Sequence, residues 1–292
     1  MIQLTDDLRH LPSPEQNYSE SKWFSFYDQT RDIWISSRIG LEPNRRAANR
    51  WLVVAHNGKV IYKDLAVNLP LPASDWSALE VGGFAIRTLK AMEQYALSFH
   101  HPELQFEVIW QAATPVFDHK DCFAPLPPSL ASAHYEQSGQ VSGNLLYEGR
   151  SYAIEGAGHR DHSWGVRHWE GFRSWIAFMA PFGRGSFLHV EQFDEQSTGL
   201  TRHGFLYHEG KNIALKDADI DLDFPAGSSF PHRFRMRMED VQGHVIPVEG
   251  EVRVIAPLAF GRCTVGESFG TFTSGGVTTA GIIEYGFTAS SR

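Results

Sequence analysis

The densest set of chemically active side chains lies in one short segment, Gly156–Trp169. Three histidines, two arginines, one aspartate and two tryptophans fall within eleven residues of it. If this segment is an extended strand, its side chains alternate between two faces. One face would carry His159, Asp161 and Ser163, and the other would carry Arg160, His162 and Trp164.

Two interpretations of this segment centre on its aspartate. Asp161 could pair with Arg160, Arg167 or backbone amides and fix a turn, because buried charges are usually paired. Alternatively, Asp161 could be a general acid or base. A carboxyl group enclosed by Trp164 and Trp169 would have its ionised form disfavoured, and the indole faces would stabilise a developing carbocation.

Two further interpretations are a metal site and a nucleophilic serine. The candidate metal ligands are His159 and Asp161 together with one of His162, His168 and His189. Their spacing is not that of a known metal-binding helix, and the neighbouring arginines would oppose a dication, so we expect no metal. Ser163 lacks the Gly-x-Ser-x-Gly context of a nucleophile elbow.

Other polar residues stand within strand-like apolar segments. His189 and Glu191 alternate in the segment 187–193, where an imidazole and a carboxylate two residues apart could act together. His203 and Tyr207 lie in the next such segment, and Trp175 begins the apolar run 175–182. All of these could face the lumen of a barrel.

Composition limits the function classes. The chain has 292 residues, 42% of them hydrophobic, and a net charge of −8, which argues against nucleic-acid binding. No stretch approaches the roughly 18 apolar residues of a membrane span, so we expect no integral membrane association. The N-terminal segment does not resemble a signal peptide, and Cys122 and Cys263 fit no metal or redox spacing. These features favour a cytoplasmic protein with reduced thiols.

Most of the chain reads as short strands separated by turn signals. Asn57-Gly58 and Glu148-Gly149 each predict the turn of a hairpin, and residues 233–238 alternate strictly between arginine and apolar side chains. Strands succeeding one another at this spacing without regular helices are typical of sandwiches and barrels. The apolar spacing within 84–99 instead predicts a helix. The prolines of 118–128 place a domain boundary between residues 130 and 131.

The segment 156–167 resembles the signature of a bacterial two-domain family related to carotenoid 1,2-hydratases (hydroxyneurosporene synthases). The resemblance rests on five segments spanning nearly the whole chain: 24–28, 38–44, 134–143, 156–167 and 281–286. It implies an all-β fold of two packed lipocalin-like (calycin-like) antiparallel β-barrel or sandwich domains with little helix, here residues 1–130 and 131–292. It also implies that residues 84–99 form strands rather than a helix.

The resemblance further implies a large apolar substrate and an aspartate acid with aromatic neighbours, which correspond here to Asp161 and Trp164. We therefore expect a cofactor-independent hydratase, hydro-lyase or isomerase for a terpenoid, steroid or polycyclic aromatic compound, since no phosphate loop, dinucleotide fingerprint or flavin motif is present. The rival hypothesis is a non-catalytic carrier of a lipid-like ligand. The expected catalytic residues are Asp161, His159, His162, His189 and Glu191. The expected substrate-binding residues are Trp164, Trp169, Trp175, Arg160, Arg167 and Tyr207. The sequence leaves open whether the protein forms a homodimer.

Overall fold

The computed structural model describes residues 1–182 and 185–289. Strands make up 67% of it and helices 5%, which confirms the predicted all-β class. The chain divides into two compact units. The first unit comprises Met1–Asp118 and Ala131–Arg167, and the second comprises His119–Leu130 and His168–Arg292. In the described part of the chain, no helix is both long enough and apolar enough to cross a membrane.

The first unit contains a nearly closed, barrel-shaped antiparallel sheet. Its strands are β1 (Tyr18–Asp28), β2 (Ile33–Glu42), β3 (Ala47–His56), β4 (Lys59–Pro70), β5 (Leu79–Val81), β6 (Phe84–Lys90), β7 (Gln94–His100), β8 (Leu104–Ala112), β9 (Phe117–Asp118), β10 (Ala133–Tyr147) and β11 (Arg150–Val166). The order is β4-β3-β2-β1-β11-β10-β8-β7-β6-β5, and β9 pairs with β10. Short 3₁₀ helices lie at Leu4–Asp7 and Pro43–Arg45.

The second unit contains a closed eight-stranded barrel in sequential order. Its strands are β12 (Phe172–Pro181), β13 (Phe187–Glu195), β14 (Gly199–His208), β15 (Lys211–Asp223), β16 (Arg233–Asp240), β17 (Val245–Phe260), β18 (Cys263–Ser274) and β19 (Val277–Thr288). Two further 3₁₀ helices of this unit lie at His119–Asp121 and Trp169–Gly171.

The division into units corrects the predicted boundary between residues 130 and 131. Nearly the whole of β1 pairs with β11, and β10 pairs with β8. The segment 131–167 therefore completes the first sheet. The preceding segment belongs to the second unit, where the Ser129 amide donates to the Glu195 carboxylate at 2.9 Å. Long-range strand pairing decides this division, and the local turn signals carry no information about it.

The helix predicted from the apolar spacing of residues 84–99 is also wrong. Strands β6 and β7 form a hairpin there, as the family resemblance implied, and its turn includes Met92 at φ 58°. Ile86 is buried in one strand, whereas Leu89 is 47% exposed. The helical spacing therefore arises by chance from two period-two strands joined by a tight turn.

Several predictions from turn chemistry and alternation are confirmed. Asn57 and Gly58 join β3 to β4 with φ of 52° and 70°, the left-handed conformation that a two-residue hairpin turn requires. In β16 the arginines of 233–238 are exposed, while Phe234, Met236 and Met238 are buried in the barrel core. Among the described residues, each of the two sheets buries an apolar face in a hydrophobic core of its own.

Candidate functional site

Strand β11 lies in the middle of the first sheet, between β1 and β10, and its two faces carry different chemistry. The alternation predicted for the segment holds: Arg160, His162 and Trp164 lie on the same face as the apolar core, and His159, Asp161 and Ser163 lie on the opposite face. Because residues opposite each other on paired strands share a face, the neighbouring strands extend both sets.

The face opposite the core carries a polar patch, which we call the Asp161 face. It consists of nine residues in three rows: Ser21, Trp23 and Ser25 on β1; Ser163, Asp161 and His159 on β11; and His134, Glu136 and Ser138 on β10. The other eight residues are each at most 4% exposed, whereas the Asp161 side chain is 22% exposed.

A continuous chain of hydrogen bonds and ion pairs crosses this face. The His159 Nε2 lies 2.7 Å from Glu136 Oε2, and its Nδ1 lies 2.9 Å from the Ser138 hydroxyl. The other Glu136 oxygen lies 2.8 Å from His134 Nε2, which in turn lies 3.4 Å from Asp161 Oδ2. Glu136 therefore bridges two imidazoles, and His134 bridges two carboxylates.

The two carboxylates determine the protonation of His134. Burial by itself lowers the pKa of this imidazole, but the negative charges of Glu136 and Asp161 outweigh burial and raise it to about 10. His134 is consequently a cation at neutral pH, held between two anions. The arrangement places a transferable proton next to the one carboxylate of the face that is accessible to solvent.

Asp161 has no ion pair with an arginine among residues 1–182 and 185–289. Its Oδ1 accepts the backbone N–H of Trp23 at 3.1 Å, and its Oδ2 lies next to His134. Arg160 points to the other face, and Arg167 donates to the Ser163 hydroxyl at 2.6 Å. In the described chain, pairing of Asp161 with Arg160 or Arg167 is therefore excluded, whereas the bond to a backbone amide that the structural interpretation also allowed is present at Trp23. The bond from Arg167 also uses the Ser163 oxygen as an acceptor, which disfavours a nucleophilic role for this serine.

The expected enclosure of Asp161 by Trp164 does not occur, because strand alternation turns Trp164 to the core-facing side. There it stacks on His10 with ring centroids 3.9 Å apart. The tryptophan that shares the Asp161 face is Trp23, directly opposite Asp161 on β1. Trp23 is 3% exposed, and its indole N–H donates to the Ser36 hydroxyl at 3.2 Å.

Arg160 belongs to a buried charge network on the core-facing side. Its Nε donates to Gln137 Oε1 at 2.9 Å, and its Nη1 lies 3.6 Å from the carboxylate of Asp7. Asp7 also binds Lys22 Nζ at 2.7 Å and accepts the Tyr135 hydroxyl at 2.9 Å. All five residues are buried, so Arg160 acts here as a structural cation and does not reach the Asp161 face.

His162 lies next to this network and is expected to be neutral. Burial and the Lys22 ammonium together lower its pKa to about 4, even though the bond between Nε2 and Glu20 Oε1 at 2.9 Å opposes both effects. The Glu20 carboxylate also accepts the indole N–H of Trp76 at 2.7 Å. His162 is therefore part of a fully bonded core cluster and lies on the wrong face to act with Asp161.

The remaining predicted residues belong to the second unit. The barrel core takes Leu188 and Val190 from β13, so His189 and Glu191 project from the outer face of the barrel and not into its lumen. Glu191 Oε2 lies 3.5 Å from His189 Nε2 and 3.4 Å from His119 Nε2. The prediction that these two residues face the lumen is wrong, although they do lie next to each other.

Trp169 and Trp175 pack together, with ring centroids 5.3 Å apart. The Trp175 indole donates to Glu284 Oε1 at 2.6 Å. Trp175 follows the same alternation as His189 and lies on the outer face of the barrel. Tyr207 lines a largely apolar cavity of about 480 Å³ at one end of the barrel, together with Phe187, Leu206 and Ile213 among others.

Sequence reasoning missed the two residues that connect the Asp161 face, His134 and Glu136. Their signal was present, since they alternate with Tyr135 in a segment that carried the family resemblance. It could not be interpreted without the register that places Glu136 opposite Asp161 and His134 opposite Ser163.

Known proteins share this architecture. A family model described as a domain of unknown function, DUF7064, matches residues 3–289. A Nitrosomonas europaea protein with the provisional designation ATTH is 15% identical, with a TM-score of 0.69 over 94% of this chain and 93% of its own. Kievitone hydratase from Nectria haematococca is 13% identical, with a TM-score of 0.69 over 91% of this chain and 88% of its own.

A third solved structure, CghA, is 12% identical, with a TM-score of 0.69 over 96% of this chain and 90% of its own. At these identities the likeness shows a common fold, and roles of individual residues do not transfer from it. No curated protein matches the sequence significantly.

Proposed function

The chain belongs to the DUF7064 family, and we propose that it is a hydratase (hydro-lyase) or isomerase that acts on a hydrophobic small molecule by general acid–base catalysis. The observation that carries the proposal is the position of Asp161. It is a partly exposed carboxylate without an arginine partner in the described chain, next to a histidine that is protonated at neutral pH.

In this mechanism Asp161 exchanges a proton with the substrate. Its Oδ1 is fixed by the Trp23 amide, so Oδ2 is the oxygen that faces His134. His134 and Glu136 form a relay that supplies or removes the proton, and His159 with Ser138 holds Glu136 in place. Addition and removal of water, and shifts of a double bond, each need one proton to be delivered and one to be accepted.

Two observations support a hydrophobic substrate. The Trp23 ring shares the face of Asp161, and an indole face stabilises positive charge that develops on a carbon skeleton. Kievitone hydratase, whose name describes a hydratase, has the same fold over nearly the whole chain. The proposed substrate class therefore stays that of a terpenoid, a steroid or a polycyclic aromatic compound, converted without a cofactor.

The test compares Asp161→Asn with the wild-type protein on a substrate found by organic extraction of protein purified from its own host. Asparagine keeps the bond to the Trp23 amide but cannot exchange a proton, so we expect turnover to fall about 10²- to 10⁴-fold. Asp219→Asn, at an exposed position of β15, is the matched control and should retain full activity. Full turnover by Asp161→Asn would overturn the assignment.

A second candidate function, a carrier of a lipid-like ligand, is favoured by the apolar cavity of about 480 Å³ in the second unit. Cavities of roughly 300–1,000 Å³ with mostly apolar walls are typical of small-molecule sites. Ile213→Trp would fill this cavity, whereas Leu200→Trp would place the same ring at a position of β14 that is 51% exposed. If the extracted compound is bound unchanged and only Ile213→Trp abolishes its binding, the carrier function is supported over catalysis.

A further inference from the structure

A cluster of nitrogen and sulfur ligands lies in the second unit, outside the Asp161 face. The 3₁₀ helix His119–Asp121 ends in a turn in which the Cys122 amide donates to the His119 carbonyl at 3.1 Å. Side chains three residues apart eclipse each other in this type of helix, so His119 and Cys122 project to the same side. The sequence His-x-x-Cys therefore places two potential metal ligands next to each other.

Strand β14 supplies His203 as a third potential ligand. The rings of His119 and His203 have centroids 5.7 Å apart and an interplanar angle of 34°. One donor atom each of His119, Cys122 and His203 lies within 4.8 Å of the other two. Neither cysteine of the chain forms a disulfide, and a metal ion would bind the Cys122 sulfur as a thiolate.

The donor set favours zinc over cations that prefer oxygen ligands. A thiolate and two imidazoles suit zinc, whereas magnesium and calcium prefer oxygen ligands. Zinc–ligand bonds of about 2.0–2.3 Å place tetrahedral donors roughly 3.3–3.8 Å apart, so the three donor atoms need to approach one another by at most about 1.5 Å. Cys122 is only partly buried and follows a short helix, which allows this adjustment by side-chain rotation.

The electrostatic environment also favours a cation. His119 and His203 are 1% and 2% exposed, and the buried carboxylate of Glu191 lies 3.4 Å from His119 Nε2. Buried carboxylates are costly unless positive charge lies close to them, and a dication at His119 would supply that charge.

We propose that the second unit binds one Zn²⁺ ion through His119, Cys122 and His203, with Glu191 next to the ion and the fourth position open to water. Three protein ligands with one open position are the arrangement of zinc sites that bind exchangeable ligands. The pattern escaped the sequence, because Cys122 and His203 are separated by eighty residues and only the fold brings them together. The proposal uses only the second unit and does not depend on the acid–base chemistry proposed above.

The experiment measures zinc content by mass spectrometry of the full-length protein after dialysis, and then titrates the zinc-free protein with Co²⁺. A cobalt ion bound by Cys122 gives a thiolate-to-cobalt charge-transfer band in the near ultraviolet, which two histidines alone cannot produce. We expect one Zn²⁺ per chain and this band on titration.

Cys122→Ser and His203→Ala test the ligands, and Cys263→Ser is the matched control, since Cys263 is a buried residue of β18 that pairs with Thr288 of β19. Changes outside the ligand shell already cost about 10- to 100-fold in affinity, so loss of a ligand should weaken zinc binding at least that much. Circular dichroism of each variant verifies that it is folded.

In the control variant, zinc content and the cobalt band should stay unchanged. The proposal is overturned if the folded wild-type protein retains no stoichiometric zinc after exposure to Zn²⁺. It is also overturned if Cys122→Ser keeps the thiolate band. A thiol reagent gives a readout that does not require any variant: zinc should protect Cys122 from labelling, and a chelator should restore its reactivity. The result of the Asp161→Asn experiment does not depend on whether the second unit binds zinc.

Discussion

Substitution of the buried carboxylate at position 7 should destabilise the first unit more than any change of similar size at its surface. Asp7 is inaccessible to solvent, and both of its carboxylate oxygens accept hydrogen bonds. Oδ1 accepts from Lys22 and Tyr135 at 2.7 and 2.9 Å. Oδ2 accepts from the Met92 amide and the Tyr95 hydroxyl at 3.0 and 2.6 Å.

The isosteric variant Asp7→Asn cannot satisfy this arrangement. Whichever position its NH₂ group takes, that group faces either the Lys22 ammonium or the Met92 N–H, and donors cannot bond to donors. Lys22 and Arg160 would also lose their carboxylate partner while they stay buried. Breaking a buried ion pair from one side costs about 3–5 kcal/mol. For a unit of this size, that cost corresponds to a fall in Tm of roughly 10 °C.

The measurement is differential scanning calorimetry at neutral pH, with Asp6→Asn as the control. Asp6 precedes Asp7 in the same 3₁₀ helix, but its partly exposed carboxylate accepts the Gln3 amide at 2.7 Å and otherwise lies 3.6 Å from the partly exposed His10 ring. We expect Asp6→Asn to change the stability by no more than about 0.5 kcal/mol. Equal Tm values for the two variants would refute the argument that the Asp7 network stabilises the core.

The pH dependence gives an independent check of the same argument. Burial by itself raises the pKa of Asp7, but the charges of Lys22 and Arg160 outweigh it and hold the pKa well below its usual value. A lowered carboxyl pKa contributes stability that is present above the unfolded value and is lost as the pH falls towards the folded value. The difference in unfolding free energy between wild type and Asp7→Asn should therefore be constant near neutral pH and shrink below about pH 4.

Three further predictions concern the Asp161 face and the two cores. Glu136 and Asp161 raise the pKa of His134 to about 10. Protonated His134 therefore contributes its full stabilisation of the folded state below about pH 6.5, and this contribution is lost as the pH rises towards 10. The variant His134→Gln should consequently show a smaller fall in Tm at alkaline pH than the wild-type protein. Gly139→Ala would place a Cβ 2.3 Å from the Trp110 ring and cost about 1–3 kcal/mol in urea unfolding, unlike the exposed Gln140→Ala. Met236→Ala should destabilise the second barrel by about 2–5 kcal/mol, whereas Arg235→Ala, at an exposed position on the same strand, should have little effect.

Local physics made much of the fold predictable. The left-handed turn at Asn57 and Gly58 follows from residue type, because these are the residues that tolerate positive φ at low cost. The alternation in β16 follows from the period of a strand, which separates Phe234 and Met236 from the arginines between them. These rules act over a few residues, so the sequence carries them directly.

The same local rules failed where two structures share a spacing. The apolar residues of 84–99 fit a helix as well as a hairpin, and only the pairing of β6 with β7 distinguishes them. The division of the chain failed for a similar reason, since β10 and β11 follow a proline-rich segment but complete a sheet that begins at Tyr18. Such pairings depend on contacts between distant residues, and local patterns do not encode them.

By itself, the sequence determined that Asp161 and Arg160 lie on opposite faces of one strand, because a period of two leaves no alternative. It also predicted that any chemistry centres on the segment Gly156–Trp169. Only the tertiary structure decided which face is the core, and so which residues act together. It placed His134 and Glu136 next to Asp161, enclosed Arg160 and His162 in a charge network, and brought His203 to Cys122. The physical reason is that strand register and sheet closure, which are set by burial of the whole apolar face, select the partner of every polar side chain.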